Sequence, residues 1–191
     1  MHLQNLNQFQ IIRFLTKLIF IMKKRTIIIF GSSDSNGKTR QLVDELLQGT
    51  DWDFVDLNTK TIGYFDYEFK NQGDDFIPLM RNIVDNYDVI IFATPVYWYT
   101  MSGIMKVFFD RISDLLKIQK PIGRQLREME MAVVCSGADT NLVDGFYMPF
   151  RESAKYLGMT YIGDYYGNLE DNSIIDIKES IDNFRQQISE S

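Results

Sequence analysis

Five short segments with strand-like patterns, separated by stretches of helical periodicity, set the strongest limit on how this chain can fold. Residues 88–93 and 131–135 are almost wholly apolar runs, which is typical of strands buried on both faces of a parallel sheet. Residues 26–30 are also apolar, residues 52–57 alternate, and residues 160–166 complete the set. Strands that alternate with helices predict an α/β domain with a parallel, doubly wound, five-stranded sheet and helices on both faces.

Five helices are predicted from apolar residues that recur at spacings of three and four. They cover residues 42–47, 76–84, 104–116, 144–157 and 174–188. Asp74 or Asp75 is a candidate cap for the second helix, Ser102 for the third, and Gly158 a candidate stop for the fourth. Residues 117–127 are basic and polar, and we predict a surface connection there.

A loop of small polar residues separates the first strand from the first helix. It spans residues 31–39, with the sequence Gly-Ser-Ser-Asp-Ser-Asn-Gly-Lys-Thr. Its backbone N–H groups therefore lie at a helix N-terminus, where the helix dipole favours an anion. The hydroxyl and amide side chains add neutral donors, and Gly31 and Gly37 let the backbone approach a ligand closely. We predict a phosphate-binding loop.

Two other interpretations of this loop remain open at the level of sequence. Gly37-Lys38-Thr39 looks like the end of a nucleoside-triphosphate P-loop, but five residues rather than four separate Gly31 from Gly37. A P-loop protein also places an Asp after a second apolar strand, whereas Asp88 precedes its strand. The second alternative is a serine-rich turn without a ligand, since small polar residues are common where a strand turns into a helix.

Two further loops, residues 94–103 and 136–139, follow the third and fourth predicted strands. Ligands of doubly wound sheets bind beyond the carboxyl ends of the strands, so the three loops are predicted to meet there. In the second loop Pro95 stiffens the chain, and the aromatic run 97–99 offers a flat wall.

The phosphate loop alone supplies too little binding free energy, so the aromatic loop has to contribute to binding. A helix terminus contributes about 0.3–1 kcal/mol to an exposed anion. A micromolar ligand needs roughly 8 kcal/mol. The aromatic loop must therefore supply most of the remainder, and a flat ring with one terminal phosphate has the shape of flavin mononucleotide (FMN). A dimer contact or core packing is the alternative role for the aromatic residues.

Composition excludes several other classes of protein. The chain has 191 residues, which suits one domain, and a formal net charge of −6, which disfavours nucleic acid and anionic membranes as partners. Its single cysteine, Cys135, excludes an internal disulfide framework and a cysteine-based cluster, and its single histidine, His2, excludes a histidine-based triad or metal site. Cys135 is interpreted as a small core residue rather than a redox group.

Residues 1–22 do not match the rest of the chain. Residues 11–22 are apolar but contain Arg13 and Lys17, so they are too short and too charged to span a bilayer. An amphipathic extension and a membrane-surface helix are possible interpretations. We favour sequence upstream of the true start, because Met22 followed by three basic residues leads straight into the first strand.

The motifs of the three loops resemble those of the flavodoxin-like NAD(P)H-dependent FMN reductases. The resemblance covers roughly residues 25–188 and is most specific at Thr94-Pro95-Val96-Tyr97-Trp98 and at the Gly-x-x-Lys-x-x-x-Asp-Arg helix of residues 103–111. It implies a sheet with strand order 2-1-3-4-5 and an FMN-binding domain over residues 23–191. It also implies that NAD(P)H passes a hydride to FMN, which then reduces a quinone, a flavin or a similar small acceptor.

The resemblance also implies which residues bind the cofactor, with no side chain needed as a catalyst. The phosphate would be held by Ser32, Ser35, Gly37, Lys38 and Thr39, the flavin ring lined by Thr94, Pro95, Val96, Tyr97 and Trp98, and its edge contacted by Ser136 and Gly137. Many relatives have Arg where this chain has Asp34, and we expect Asp34 to point to solvent. Asp110 and Arg111 are expected to form a helix-anchoring ion pair, and no metal is expected.

The main alternative function is a flavodoxin-type electron carrier without its own NAD(P)H activity, which the acidic charge would suit. True flavodoxins, however, usually carry a Thr-x-Thr-Gly-x-Thr phosphate loop, which is absent here. We expect a cytoplasmic homodimer or homotetramer without stable membrane insertion, whose partner is a small-molecule electron acceptor.

Overall fold

The computed structural model describes residues 24–169 and 172–191. The proposed N-terminal extension, residues 1–22, lies outside the described residues. Within the described part of the chain, every helix is too short or too polar to cross a membrane.

A parallel sheet forms the centre of the domain. Its strands are β1 (Thr26–Phe30), β2 (Asp53–Asp56), β3 (Val89–Tyr97), β4 (Thr100–Met101), β5 (Glu130–Gly137) and β6 (Thr160–Asn168). Five of them are parallel in the order β2-β1-β3-β5-β6, which confirms the predicted order of the five main strands. The two-residue β4 pairs antiparallel with the end of β3.

Helices cover both faces of this sheet, as predicted. They are α1 (Lys38–Leu47), α2 (Phe76–Asn86), α3 (Gly103–Lys117), α4 (Lys120–Gln125), α5 (Met148–Leu157) and α6 (Ile174–Glu190), with 3-10 turns at Leu57–Thr59 and Leu126–Glu128. Successive strand residues face opposite sides, so Ile27 and Ile29 pack with α2, α3 and α5, while Ile28 and Phe30 pack with α1 and α6. Two buried layers therefore hold the sheet between them.

The helix ends follow from local chemistry. The Ser102 hydroxyl caps α3 by accepting a hydrogen bond from the Met105 N–H at 3.1 Å. At the start of α2, Asp74 rather than Asp75 accepts from the Phe76 N–H, at 3.0 Å. Gly158 ends α5 in the left-handed conformation, with φ of 76°.

Three predicted boundaries were wrong. Residues 117–127 are not a simple surface connection, because α4 lies there and Ile122 is buried in the core. The helix predicted from residue 144 begins at Met148, since Pro149 has no N–H and fits only in the first turn of a helix. The second loop is shorter than predicted, because β3 extends to Tyr97 and returns as β4.

Candidate functional site

The first loop, residues 31–37, joins β1 to α1 and is held from several sides. The Gly31 N–H donates to the Ala93 carbonyl at 2.9 Å, and the Ser102 hydroxyl donates to the Gly31 carbonyl at 2.6 Å. The Asn58 side-chain amide donates to the Ser32 carbonyl and, at 3.1 Å, to the Ser35 hydroxyl. The loop is thus fixed by Ala93 within β3, by Asn58 after β2 and by Ser102 after β4.

Asp34 is exposed, as expected, yet its carboxylate folds back over its own loop. Its Oδ1 atom accepts from the Asn36 N–H at 2.9 Å. A Cβ atom added to Gly37 would lie 3.0 Å from Asp34 Oδ2, so the carboxylate lies against the residue directly before α1. The Asp34 side chain is therefore exposed as expected, and its carboxylate also accepts a hydrogen bond from its own loop.

The second loop is a tight β-hairpin between β3 and β4. Val96 pairs with Met101 and Tyr97 with Thr100, which leaves Trp98 and Tyr99 as the two turn residues. Both have positive φ, 50° and 64°, as a type I′ turn requires at its two central positions. Aromatic residues rarely adopt this conformation, so the hairpin stores backbone strain beside the site.

Hydrogen bonds connect the first loop to the other two. The Ser33 hydroxyl lies 2.8 Å from the Tyr97 hydroxyl, which links the first loop to the hairpin. The buried Thr39 hydroxyl lies 2.6 Å from the Ser136 hydroxyl, which links α1 to the end of β5. The three loops therefore meet at the carboxyl edge of the sheet, as the doubly wound topology predicts.

A cavity of about 290 Å³ lies where the three loops meet. Its lining includes nine of the twelve predicted cofactor-binding residues: Ser32, Gly37, Lys38, Thr39, Pro95, Val96, Tyr97, Ser136 and Gly137. A second cavity of about 200 Å³ shares Val96 and Gly137 with the first and extends along the hairpin. Any Cβ on Gly137 would lie 3.0 Å from the Tyr166 hydroxyl, so glycine keeps this junction open.

The other three predicted residues lie elsewhere. Ser35 is turned towards Asn58, as described above. Thr94 is fully buried, and its hydroxyl accepts from the Ser102 N–H at 3.0 Å, so it supports the hairpin rather than facing the cavity. Trp98 is 92% exposed at the tip of the hairpin and lines only the second cavity.

Sequence reasoning missed several residues that shape the site. Asn58 follows β2, and Tyr166 lies near the end of β6, where its hydroxyl donates to the Asp139 carbonyl at 2.5 Å. The signal that could have found them is position, because both lie at the carboxyl end of a strand. Ala138 lines both cavities and directly follows two predicted residues.

Two further side chains near the site, those of Cys135 and Asp110, make contacts that indicate structural roles. Cys135 is buried, and burial raises the pKa of its thiol to about 12 despite a 3.4 Å contact with the Tyr147 hydroxyl. A protonated, inaccessible thiol fits the interpretation as a core residue. Asp110 does not pair with Arg111 as expected, because it binds Lys106 at 2.5 Å instead.

Comparison with known proteins agrees with this geometry. Residues 25–172 match the family model of the NADPH-dependent FMN reductases. The chain is 30% identical over 146 residues to YwqN of Bacillus subtilis, a candidate NAD(P)H-dependent FMN-containing oxidoreductase, covering 71% of this chain and 80% of that protein.

Solved structures show the same fold. The Trp repressor binding protein of Bacillus subtilis has a TM-score of 0.68 and 23% identity, covering 87% of this chain and 99% of that one. An FMN-dependent NADH-azoreductase from Bacillus anthracis, solved with FMN, has a TM-score of 0.60 and 10% identity, covering 86% and 99%.

The family match decides between the interpretations that the first loop alone left open. It covers all three loops and the α3 segment that carries Asp110 and Arg111, and it describes an FMN reductase rather than a nucleotidase. The chain therefore belongs to the NADPH-dependent FMN reductase family and is a flavoprotein oxidoreductase that uses FMN and NAD(P)H.

Proposed function

We propose that this protein transfers a hydride from NAD(P)H to FMN held at the three loops and passes the electrons to a quinone, a flavin or a similar small acceptor. The observation that carries the proposal is the meeting of a phosphate-type loop, an aromatic hairpin and the end of β5 around one cavity. Each loop alone is common, but together at one edge of the sheet they offer both a phosphate-binding loop and a surface for a flat ring, as FMN requires.

The residues present fit FMN in most respects. Hydroxyl groups of Ser32 and Thr39 and the ammonium group of Lys38 line one end of the cavity, beside the N-terminus of α1. These are donors, which suit a phosphate. Pro95 and Val96 line the other end, where an apolar ring could pack. The carboxylate of Asp34 is the one lining group that does not suit an anion.

The chain's own residues divide the work of binding. Backbone N–H groups at the start of α1 and the Ser32 and Thr39 hydroxyls would hold the phosphate, and Ser136 orients the Thr39 hydroxyl through their 2.6 Å contact. Pro95, Val96 and Tyr97 would form the ring platform. When bound, FMN supplies the two-electron chemistry, so no side chain has to act as a nucleophile or an acid.

The hairpin and the third loop line two sides of the joined cavities, so we infer that donor and acceptor use the remaining open side in turn. Trp98, at the exposed tip, is then placed to contact whichever molecule enters. Alternate use of one side predicts ping-pong kinetics. The predicted cytoplasmic homodimer or homotetramer stays a prediction.

Anaerobic stopped-flow measurements test the proposal. The purified protein is supplied with FMN, mixed with NADH or with NADPH, and then with a quinone, while the visible flavin absorbance is recorded. We expect at least one nicotinamide to bleach the absorbance and the quinone to restore it. Failure of both nicotinamides, with bleaching by dithionite, would instead support the electron-carrier function.

A variant separates the hairpin's role from general damage. Trp98→Ala should slow both half-reactions while leaving FMN affinity within about threefold, because Trp98 lies away from the phosphate end. Tyr156→Ala is the matched control, since Tyr156 is a similarly exposed aromatic residue on α5 outside both cavities. Equal effects of the two substitutions would count against a role for the hairpin.

A further inference from the structure

A negative charge lies in the loop that is proposed to bind a phosphate. Asp34 lines the same cavity as Ser32, Gly37, Lys38 and Thr39. Because acidic side chains repel phosphate, the presence of Asp34 in this cavity requires a physical explanation. No other feature of the cavity works against the proposed ligand.

The carboxylate already uses part of the anion-binding geometry. Its Oδ1 atom accepts from the Asn36 N–H at 2.9 Å, and the Asp34 N–H donates to the Ser32 hydroxyl at 3.1 Å. Its Oδ2 atom lies 3.0 Å from where a Cβ of Gly37 would be, directly before α1. The side chain is thus held at the helix N-terminus, the position that favours an anion.

The charges that line this cavity balance. Lys38 and Asp34 are its lining residues that are charged at neutral pH, and they carry opposite signs. The net attraction of these two side-chain charges for a phosphate is therefore small, and the hydrogen bonds of the loop and the N-terminus of α1 must hold the phosphate. Because the terminal hydroxyl of riboflavin is neutral, the Asp34 charge weakens riboflavin binding much less than it weakens phosphate binding.

We propose that the Asp34 carboxylate acts as an internal anion in the phosphate loop and lowers the preference of the site for FMN over unphosphorylated riboflavin. This inference rests on the proposed function, because it assigns the phosphate to this loop. It adds a class of ligand for the cofactor site: the site accepts riboflavin as well as FMN. The FMN phosphate displaces the carboxylate from the loop, whereas riboflavin leaves it in place.

The expected size follows from Coulomb's law. A phosphate with a charge of about −1.5 to −2, roughly 5 Å from the carboxylate that it has displaced and in a water-like dielectric, is still repelled enough to change binding about tenfold. Riboflavin carries no such charge. Removing the Asp34 charge should therefore change the affinity for FMN and not for riboflavin.

The test compares Asp34→Asn with the wild-type protein by fluorescence titration with FMN and with riboflavin. Asparagine keeps the shape and the oxygen that accepts from the Asn36 N–H, and it removes only the charge. We expect FMN to bind about tenfold more tightly and riboflavin to change less than twofold. The gain should shrink at high salt, because the removed repulsion is screened.

Asp44→Asn is the matched control. Asp44 lies on the same helix as Lys38, pairs with Arg40 at 2.7 Å and is outside the cavity, so the same change in net charge should alter neither affinity by more than twofold. Asp34→Ser serves as a second variant if Asp34→Asn does not fold, with the same expected direction.

Each other outcome has a defined meaning. If the ratio of FMN to riboflavin affinity stays within twofold while both flavins bind and NAD(P)H still bleaches them, the inference is wrong and the proposed function stands. If Asp34→Asn raises the affinity for both flavins equally, Asp34 affects binding of the shared ring system rather than of the phosphate, and the inference is also wrong. If neither flavin binds to either protein, the proposed function fails and the inference fails with it.

Discussion

Arg111 offers the sharpest test of what holds the site's surroundings together. Its side chain is 0% exposed, and its guanidinium makes five hydrogen bonds. Nε donates to Asp114 at 2.8 Å, Nη1 to Asp74 at 2.5 Å and to the Gly63 carbonyl at 2.9 Å, and Nη2 to the Asn71 carbonyl at 3.0 Å and to Asp74 at 3.2 Å. The residue thus anchors the connection between β2 and α2 to α3.

Arg111→Met keeps much of the side-chain volume and removes every one of these bonds. The carboxylates of Asp74 and Asp114 then stay in place with side-chain exposures of 11% and 2%, without their cation. Breaking one partner out of a buried ion pair costs about 3–5 kcal/mol. We expect the free energy of unfolding to fall by this amount, a large share of the about 5–15 kcal/mol typical of a whole domain.

The pH dependence identifies the cause. Burial alone would raise the pKa of Asp74, but the hydrogen bond from Arg111, with further bonds from backbone N–H groups, holds that pKa below its usual value. This stabilisation is present above the unfolded pKa of about 3.9 and is lost as the pH falls through the lower folded pKa. In Arg111→Met the same burial favours the neutral acid, so the difference from wild type should shrink towards pH 4.

Urea unfolding at neutral pH and near pH 4 measures both effects. Lys106→Met is the control, because Lys106 lies on the same helix and forms an exposed i,i+4 pair with Asp110, which is worth about 0.3–0.5 kcal/mol. A loss below about 1 kcal/mol for Arg111→Met at neutral pH would contradict the reasoning. A large loss that is the same at both pH values would show that packing, not charge, is responsible.

Three further predictions concern the site and the chain terminus. Gly37→Val should abolish FMN binding while Lys38→Ala weakens it only modestly, because backbone N–H groups rather than the lysine charge hold the phosphate; fluorescence titration compares them. Tyr99→Gly should raise the free energy of unfolding by about 1 kcal/mol by relieving the positive φ, whereas Tyr99→Ala should not, as urea titrations would show. A protein that begins at Met22 should melt at the same temperature and bind FMN as the full chain does, and a marked loss of stability would mean that the preceding residues pack on the domain.

The central position of two strands was predictable because apolar character is local information, whereas the strand order was implied by the family resemblance. The apolar run of residues 88–93 and that of residues 131–135 can be buried only in the middle of a parallel sheet, and they form β3 and β5 there. The right-handed crossover rule then leaves few arrangements. Once the order is known, the loops after β1, β3 and β5 have to meet, which is why most predicted lining residues share one cavity.

The hairpin was not predictable in the same way. Two-residue turns with positive φ usually show Asn or Gly at their centre, and Trp98 and Tyr99 are neither. The pairing of Val96 with Met101 and of Tyr97 with Thr100 imposes the turn, and the turn residues themselves carry no signal of it. Thr94 was misplaced for the same reason, because it continues β3 and turns its hydroxyl to Ser102.

The pairing of Asp110 with Arg111 was wrong for a reason that helix geometry supplies. Adjacent residues on a helix point in different directions, whereas residues three or four apart share a face. Asp110 therefore meets Lys106 on the exposed side, and Arg111 meets Asp114 on the buried side. The spacing is visible in the sequence, so helix geometry alone predicts the pairs Lys106–Asp110 and Arg111–Asp114.

The pairing of Arg111 with Asp74 across the fold has no comparable signal in the sequence. This pairing explains how the long connection between β2 and α2 can support a precise site. Residues 58–75 contain little regular structure, yet the Asn58 amide holds the first loop and Asp74 holds Arg111, 37 residues further along the chain. The connection is thus fixed at one end to the phosphate loop and at the other to α3. Since Ser102 caps α3 and also holds the Gly31 carbonyl, both ends lead back to the same edge of the sheet. Removing the Arg111 hydrogen bonds should therefore also loosen the phosphate loop, although no atom of Arg111 lines the cavity.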